Sequence, residues 1–252
     1  MEIDTLLGWM MVFLRSIGLV MLLPGPGGKP LPPVFRLGVA LALTMVVYPV
    51  ASVRAWPVEL TWAPVVAGAV GEVVTGLALG FVGRFIFFLI ETAGRIMASE
   101  IGLAAAPGFE MPDPAREPLA SFISTFGILL FFRLGGHFGI IAAFARTFDL
   151  AAAGAGGLGP STPEILTRES AYLIELAVRI AAPFIALNFL INLSFAILTR
   201  VVPKLNVFIL SFPFRILGGF MLLSGSGMLI ARYLDLAVNR LPMRLLEMVA
   251  GG

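Results

Sequence analysis

An all-α integral membrane protein with about six apolar helical segments is what this sequence predicts, and three observations carry it. Of 252 residues, 59% fall in the hydrophobic group and only 13% are charged, more apolar surface than one water-soluble core can hide. The mean hydropathy of +0.99 has the same meaning. The apolar residues also run in long stretches separated by glycine, proline and charge, and a crossing of the hydrocarbon takes roughly 20 residues. A single membrane domain over residues 1–252 follows.

The first segment, LLGWMMVFLRSIGLVMLLPG, follows Glu2 and Asp4 rather than a basic leader and lacks a clear small-residue cleavage site, so it is expected to be retained as helix. GPGGKPLPP at residues 25–33 breaks it, and VFRLGVALALTMVVYPV supplies the second segment, ending near Pro49. Trp56 and Trp62 flank Pro57 and Glu59, as aromatic groups do at a membrane interface. Residues 64–105 are apolar almost throughout and are expected to form two segments with a weak boundary near Gly80 and Gly83. A charged, proline-rich stretch at 105–118 precedes another apolar run at 119–148, and GAGGLGPSTP marks a flexible linker at 154–163. Helices are expected at about 170–199 and 205–230. An amphipathic tail over 231–252 then fits an interfacial helix interrupted by Pro242.

Charge excludes several function classes. A net charge of +2 made of few groups supports no nucleic-acid interface. Lys29, Arg36, Arg54, Arg200, Lys204, Arg232, Arg240 and Arg244 give no clean alternation under the positive-inside rule. Glu72 and Arg84 sit within or beside the third segment, while Glu91 with Arg95, and Glu175 with Arg179, have the four-residue spacing that pairs opposite charges on a helix. Structural pairing outweighs a direct transport role for these groups, although pairs of this kind can also contact neighbouring subunits. The small residues Gly68, Ala69, Gly71, Gly76, Ala78, Gly80 and Gly83 permit close helix approach, with Gly76 and Gly80 in a small-xxx-small arrangement.

No enzyme constellation emerges. Cysteine is absent, the one histidine is His137, and neither HExxH nor GxxxxGK[ST] occurs. No catalytic residue, metal site or cofactor is expected. Phe85, Phe87, Phe88, Phe131 and Phe132 can line a closed passage, with ordinary packing the weightier account.

Three motifs in order then carry a resemblance: RLGVALALTMVVYP at 36–49, EVVTGLALGFVGRFIFFLIETAGRIMASEIGLA at 72–104, and VPKLNVFILSFPFRILGG at 202–219. Together they resemble the FliR family, membrane components of the flagellar type III export gate with relatives in virulence secretion. The resemblance runs from the first helix to about residue 230 and is sharpest at PKLNVF and FPFRILGG. It implies a structural and gating subunit that passes unfolded substrates across the bacterial inner membrane, within the export apparatus of the flagellar basal body. It also implies co-assembly with FliP-like, FliQ-like and FlhB-like proteins among membrane lipids, with bent helical hairpins forming a multisubunit helical gate.

The same resemblance makes residues 105–118 a candidate gate loop, led by Pro107, Gly108, Phe109, Glu110, Met111, Pro112, Asp113 and Pro114. Glycine allows tight turning, proline stiffens the backbone, and the apolar side chains can close against other subunits. Candidate assembly residues are Glu91 and Arg95, together with Pro203, Leu205, Asn206, Val207, Phe208, Phe212, Pro213 and Arg215 of the later motif. GFEMPDP and FPFRILGG look more like the flagellar branch, and a virulence-type gate subunit is the alternative. An independent transporter using Glu72, Glu91 and Glu175 is a further alternative, and an intramembrane enzyme a distant third.

Overall fold

The computed structural model describes residues 2–23, 31–53, 62–102, 118–202 and 206–250. Among them the backbone forms seven α-helices: α1 (Glu2–Leu22), α2 (Pro33–Val47), α3 (Trp62–Ile101), α4 (Pro118–Arg133), α5 (Gly136–Leu150), α6 (Thr162–Val201) and α7 (Val207–Ala250). Five of these are long and apolar enough to cross a membrane, and the bent pair α4 and α5 can supply a sixth crossing. The expected all-α membrane class is therefore the observed one.

The expected boundary near Gly80 and Gly83 is absent. α3 is one helix of 40 residues, about 60 Å long at a rise of 1.5 Å per residue and so about twice the hydrocarbon thickness. Its glycines serve packing rather than breakage. A Cβ on Gly80 would lie 2.5 Å from the Leu19 carbonyl oxygen, one on Gly18 would lie 2.8 Å from the Leu77 nitrogen, and one on Gly76 would overlap the Arg15 carbonyl. The backbones of α1 and α3 thus touch where side chains would otherwise hold them apart.

α3 is the mast of the fold. It packs against α1, α4, α6 and α7, while α2 leans on α1 and α5 on α7. Its buried face, including Leu79, Val82, Ile86, Leu89, Ala93 and Met97, meets Met11 and Leu19 of α1, Leu176 and Ile180 of α6, and Leu234 and Leu241 of α7 in one apolar core. Burying a side chain of this size from water is worth about 1.5–3 kcal/mol, and lipid supplies none of that gain, so close packing must hold the helices together.

α4 and α5 turn by 61° over Leu134 and Gly135. Gly135 takes a φ of +74°, a left-handed conformation that only glycine enters freely. The C-terminal tail is the last part of α7 rather than a separate helix. Pro242 removes one backbone donor without ending the helix, because Leu241 and Leu245 beside it are buried and its ring lies against Gly139 of α5.

Two glycine substitutions separate packing from propensity. Gly76→Ala is expected to destabilise the protein by about 1–3 kcal/mol through overpacking against α1. Gly38→Ala, with nothing within 4 Å of the new methyl, is expected to stabilise by about 0.5–1 kcal/mol. Thermal unfolding of the purified protein in lipid nanodiscs, followed by intrinsic fluorescence, measures both.

Candidate functional site

An arginine within α1 and a glutamate in the first half of α3 meet inside the fold. Arg15 and Glu72 are both 0% exposed, and they form a two-pronged ion pair: Arg15 Nε donates to Glu72 Oε2 at 2.5 Å, and Nη2 donates to Oε1 at 2.9 Å. Nη2 also reaches the Ala151 carbonyl at 2.9 Å, and Nη1 reaches Thr147 Oγ1 at 3.0 Å. The guanidinium carbon lies 4.0 Å from the centre of the Phe148 ring. On the acid side, Glu72 Oε1 accepts from the backbone N–H of Gly154 at 2.8 Å and of Gly156 at 3.1 Å.

This clamp ties four pieces of chain together. α1 supplies the cation, α3 the anion, α5 the Thr147 hydroxyl and Phe148 face, and the glycine-rich stretch after α5 its backbone donors. Gly154 stands at φ +95°, which turns its N–H onto the carboxylate. The stretch expected to be a flexible linker is therefore anchored at its start. Ala153 N–H also donates to the Ser52 carbonyl at 2.8 Å beside a parallel bridge between Val53 and Ala153, and Ser52 Oγ donates to the Phe148 carbonyl.

Glu72 is legible in the sequence as a charge within an apolar segment, whereas nothing local marks Arg15, Thr147 or the two glycines as its partners. The available signal is a charge without a partner at helical spacing in each of two apolar stretches, Arg15 in one and Glu72 in the other, opposite in sign.

The four-residue pairs form as their spacing requires. Arg95 meets Glu91 at 2.5 Å, and Arg179 meets Glu175 at 2.6 Å, all four side chains about half exposed. Each of the three acids weighed as a transport site is thus held by an arginine. α6 and α7 pack together as a hairpin, and at its lower end, where α6 begins and α7 finishes, Arg244 joins Glu169 at 2.8 Å and Glu247 at 2.6 Å while Arg240 lies over the Tyr172 ring. Among the described residues, no three His, Asp or Glu side chains are grouped to hold a metal ion.

The candidate gate residues Pro107 to Pro114 lie outside the described residues, as do Pro203 and Leu205 and the side chains of Val207 and Phe208. Asn206 precedes α7, and its side-chain oxygen accepts from the Ile209 N–H at 3.4 Å, a helix-capping position. Phe212 is partly buried and borders Gly102 at the end of α3; Pro213 is exposed within α7. Arg215 donates to Asn192 Oδ1 of α6, and its stem also borders Gly102. Phe212 and Arg215 of the later motif therefore lie at the end of α3, beside Gly102. Beyond Phe184, α6 buries no further residue, while Phe189, Leu193, Ile197, Phe214, Leu217 and Met221 point outward.

Comparison with known proteins gives a consistent result. A family described as bacterial export proteins, family 1, matches residues 6–241. The chain is 27% identical over 234 residues to the flagellar biosynthetic protein FliR of Escherichia coli strain K12, covering 91% of this chain and 89% of that protein. It is also 27% identical over 222 residues to the FliR of Aquifex aeolicus, covering 87% and 85%. Similarity to the Yop proteins translocation protein T of Yersinia pestis is 25% identity over 186 residues, covering 71% and 70%.

Breaking the clamp tests its weight. Glu72→Ala leaves a buried guanidinium with its main partner gone and is expected to cost about 3–5 kcal/mol. The double variant Arg15→Met with Glu72→Met is expected to recover a large part of that loss, since no charge remains buried. Unfolding of the three proteins in nanodiscs gives the comparison, and a double variant less stable than Glu72→Ala would contradict it.

Proposed function

The chain belongs to the bacterial export proteins, family 1, and we propose that it serves as a structural and gating subunit of a type III protein export channel, passing unfolded substrates across the inner membrane. It is a membrane-embedded component of the export apparatus, of the flagellar kind. The observation that carries this is the family match over nearly the whole described fold, from α1 to the last turns of α7. The chain is similar both to a flagellar biosynthetic protein and to a Yop proteins translocation protein, which supports passage of polypeptide through a membrane assembly and makes the virulence-type gate the close second reading.

The geometry supports an assembled subunit over a lone transporter. Glu72 is saturated by Arg15 and two backbone donors, and Glu91 and Glu175 each carry an arginine, so none of them is a free acid waiting for an ion. The half of the α6 and α7 hairpin beyond Phe184 presents apolar side chains outward along helices far longer than a bilayer is thick. Such a surface calls for neighbouring helices as well as lipid. FliP-like, FliQ-like and FlhB-like chains are the neighbours we assign to it. Within the assembly, residues 107–114 act as the gate loop that narrows the passage, and Asn206, Phe212, Pro213 and Arg215 set the late hairpin in place, with Glu91 and Arg95 at a subunit contact. Pro203, Leu205, Val207 and Phe208 of the same sequence motif share that assembly role.

Two measurements decide these points. Isolation of the intact membrane complex, with mass spectrometry and subunit counting, is expected to recover this chain with the three partner types and the flagellar rings; a transport-competent single-chain species would favour a permease. Photo-cross-linkers at residues 108–114 are expected to capture an export substrate arrested in the channel. Their consistent silence during productive export would remove the gate assignment.

A further inference from the structure

Past Phe184 the α6 and α7 hairpin loses its buried apolar seam on the α6 side, yet a line of polar groups ties it to the end of α3. Glu100 lies one residue before the last residue of α3, Asn188 and Asn192 lie one turn apart on α6, and Arg215 lies on α7. Arg215 Nη2 donates to Asn192 Oδ1, Asn192 Nδ2 donates to Asn188 Oδ1 at 3.2 Å, and Asn188 Nδ2 donates to Glu100 Oε2 at 2.6 Å. Every bond points from the cation towards the anion. The relay spans three helices, and an apolar contact stands beside it: Gly219 of α7 lies against Ile101, close enough that a Cβ there would be 2.5 Å from the isoleucine side chain.

A direct ion pair would join two helices only. Two amides placed between the charges carry the connection through α6, and each amide offers an acceptor at one end and donors at the other. A cut at any of the three bonds therefore separates the end of α3 from α7, because no other bond in the line bypasses it.

We propose that Glu100, Asn188, Asn192 and Arg215 are positioning residues for export: the relay holds the end of α3, where the chain departs after Gly102, against the α6 and α7 hairpin. The proposal rests on the reading of residues 107–114 as the gate loop, since the relay governs the end of the helix that precedes them in the chain. It also assigns Arg215 a partner within its own chain. The relay has a property that distinguishes it from a simple ion pair. Because an asparagine amide can turn over and exchange its donor and acceptor ends, the whole line works equally well with its polarity reversed.

The test is made in cells carrying the complete export apparatus, with three readouts: incorporation of the subunit into the isolated complex, export rate of a native substrate, and entry of a small dye. Glu100→Arg and Arg215→Glu are each expected to lower the export rate by about tenfold or more while incorporation stays within about twofold, and the double reversal to return the rate to within about threefold of the parent. Asn192→Leu, which cuts the relay at an exposed position without changing either charge, is expected to match the single reversals. The proposal is overturned if the double reversal exports no better than the worse single one, or if Asn192→Leu exports normally. Should a reversed charge prevent incorporation, Asn192→Leu alone decides. Glycine and serine substitutions across residues 108–114 test the underlying gate reading separately. Unchanged dye entry there, with rescue by the double reversal, removes the gate loop as the relay's target; altered dye entry without rescue removes the relay and leaves the gate loop.

Discussion

The buried pair of Arg15 and Glu72 is the constraint around which the rest of this fold is arranged. Neither charge can stand alone in an apolar interior, since an unpartnered ion there costs several kcal/mol and a bidentate pair with further hydrogen bonds recovers most of it. The requirement fixes the height of α1 on α3, brings the Thr147 end of α5 to the same point, and gathers the Gly154 and Gly156 backbone around the carboxylate. The glycines on the touching faces of α1 and α3 follow from the same need. Gly18, Gly76 and Gly80 let the two backbones approach closely enough for the short glutamate to meet the guanidinium.

From that clamp the molecule opens outward in a way suited to a part rather than a whole. The core lies where α1, α3, α5 and the lower halves of α6 and α7 converge, and the upper hairpin is held by polar links and a few apolar contacts. Helices of 40 and 44 residues exceed one membrane crossing, and their outer faces are apolar over much of their length. Membership of a family of export proteins fits that surface, because a component of an export apparatus can keep apolar faces for its neighbours.

Local charge patterns and long-range ones fared differently. Glu91 with Arg95 and Glu175 with Arg179 are neighbours by the pitch of the helix itself, so spacing alone predicts them. Glycine carries two opposite meanings in a helix, a break or a contact surface. Gly80 signals a break on propensity grounds, and in the fold it is a contact surface that keeps α3 whole. Pro242 likewise suggests an interruption, and neighbouring buried leucines carry α7 through it. The stretch at 154–163 has the composition of a linker, yet the carboxylate of Glu72 claims its first backbone donors.

The amino-acid sequence by itself determined the membrane class, the helical content, the same-helix ion pairs and the ordered motifs that mark the family, because each depends on composition or on neighbours a few residues apart. Only the tertiary structure decided that Arg15 meets Glu72 across 57 positions, that Glu100 reaches Arg215 through two asparagines of a third helix, and that residues 62–101 form a single mast. The reason is geometric. A helix presents its side chains all round, and which of them become partners depends on which faces come together, a choice made here by small residues that let backbones touch and by charges that cannot be buried alone.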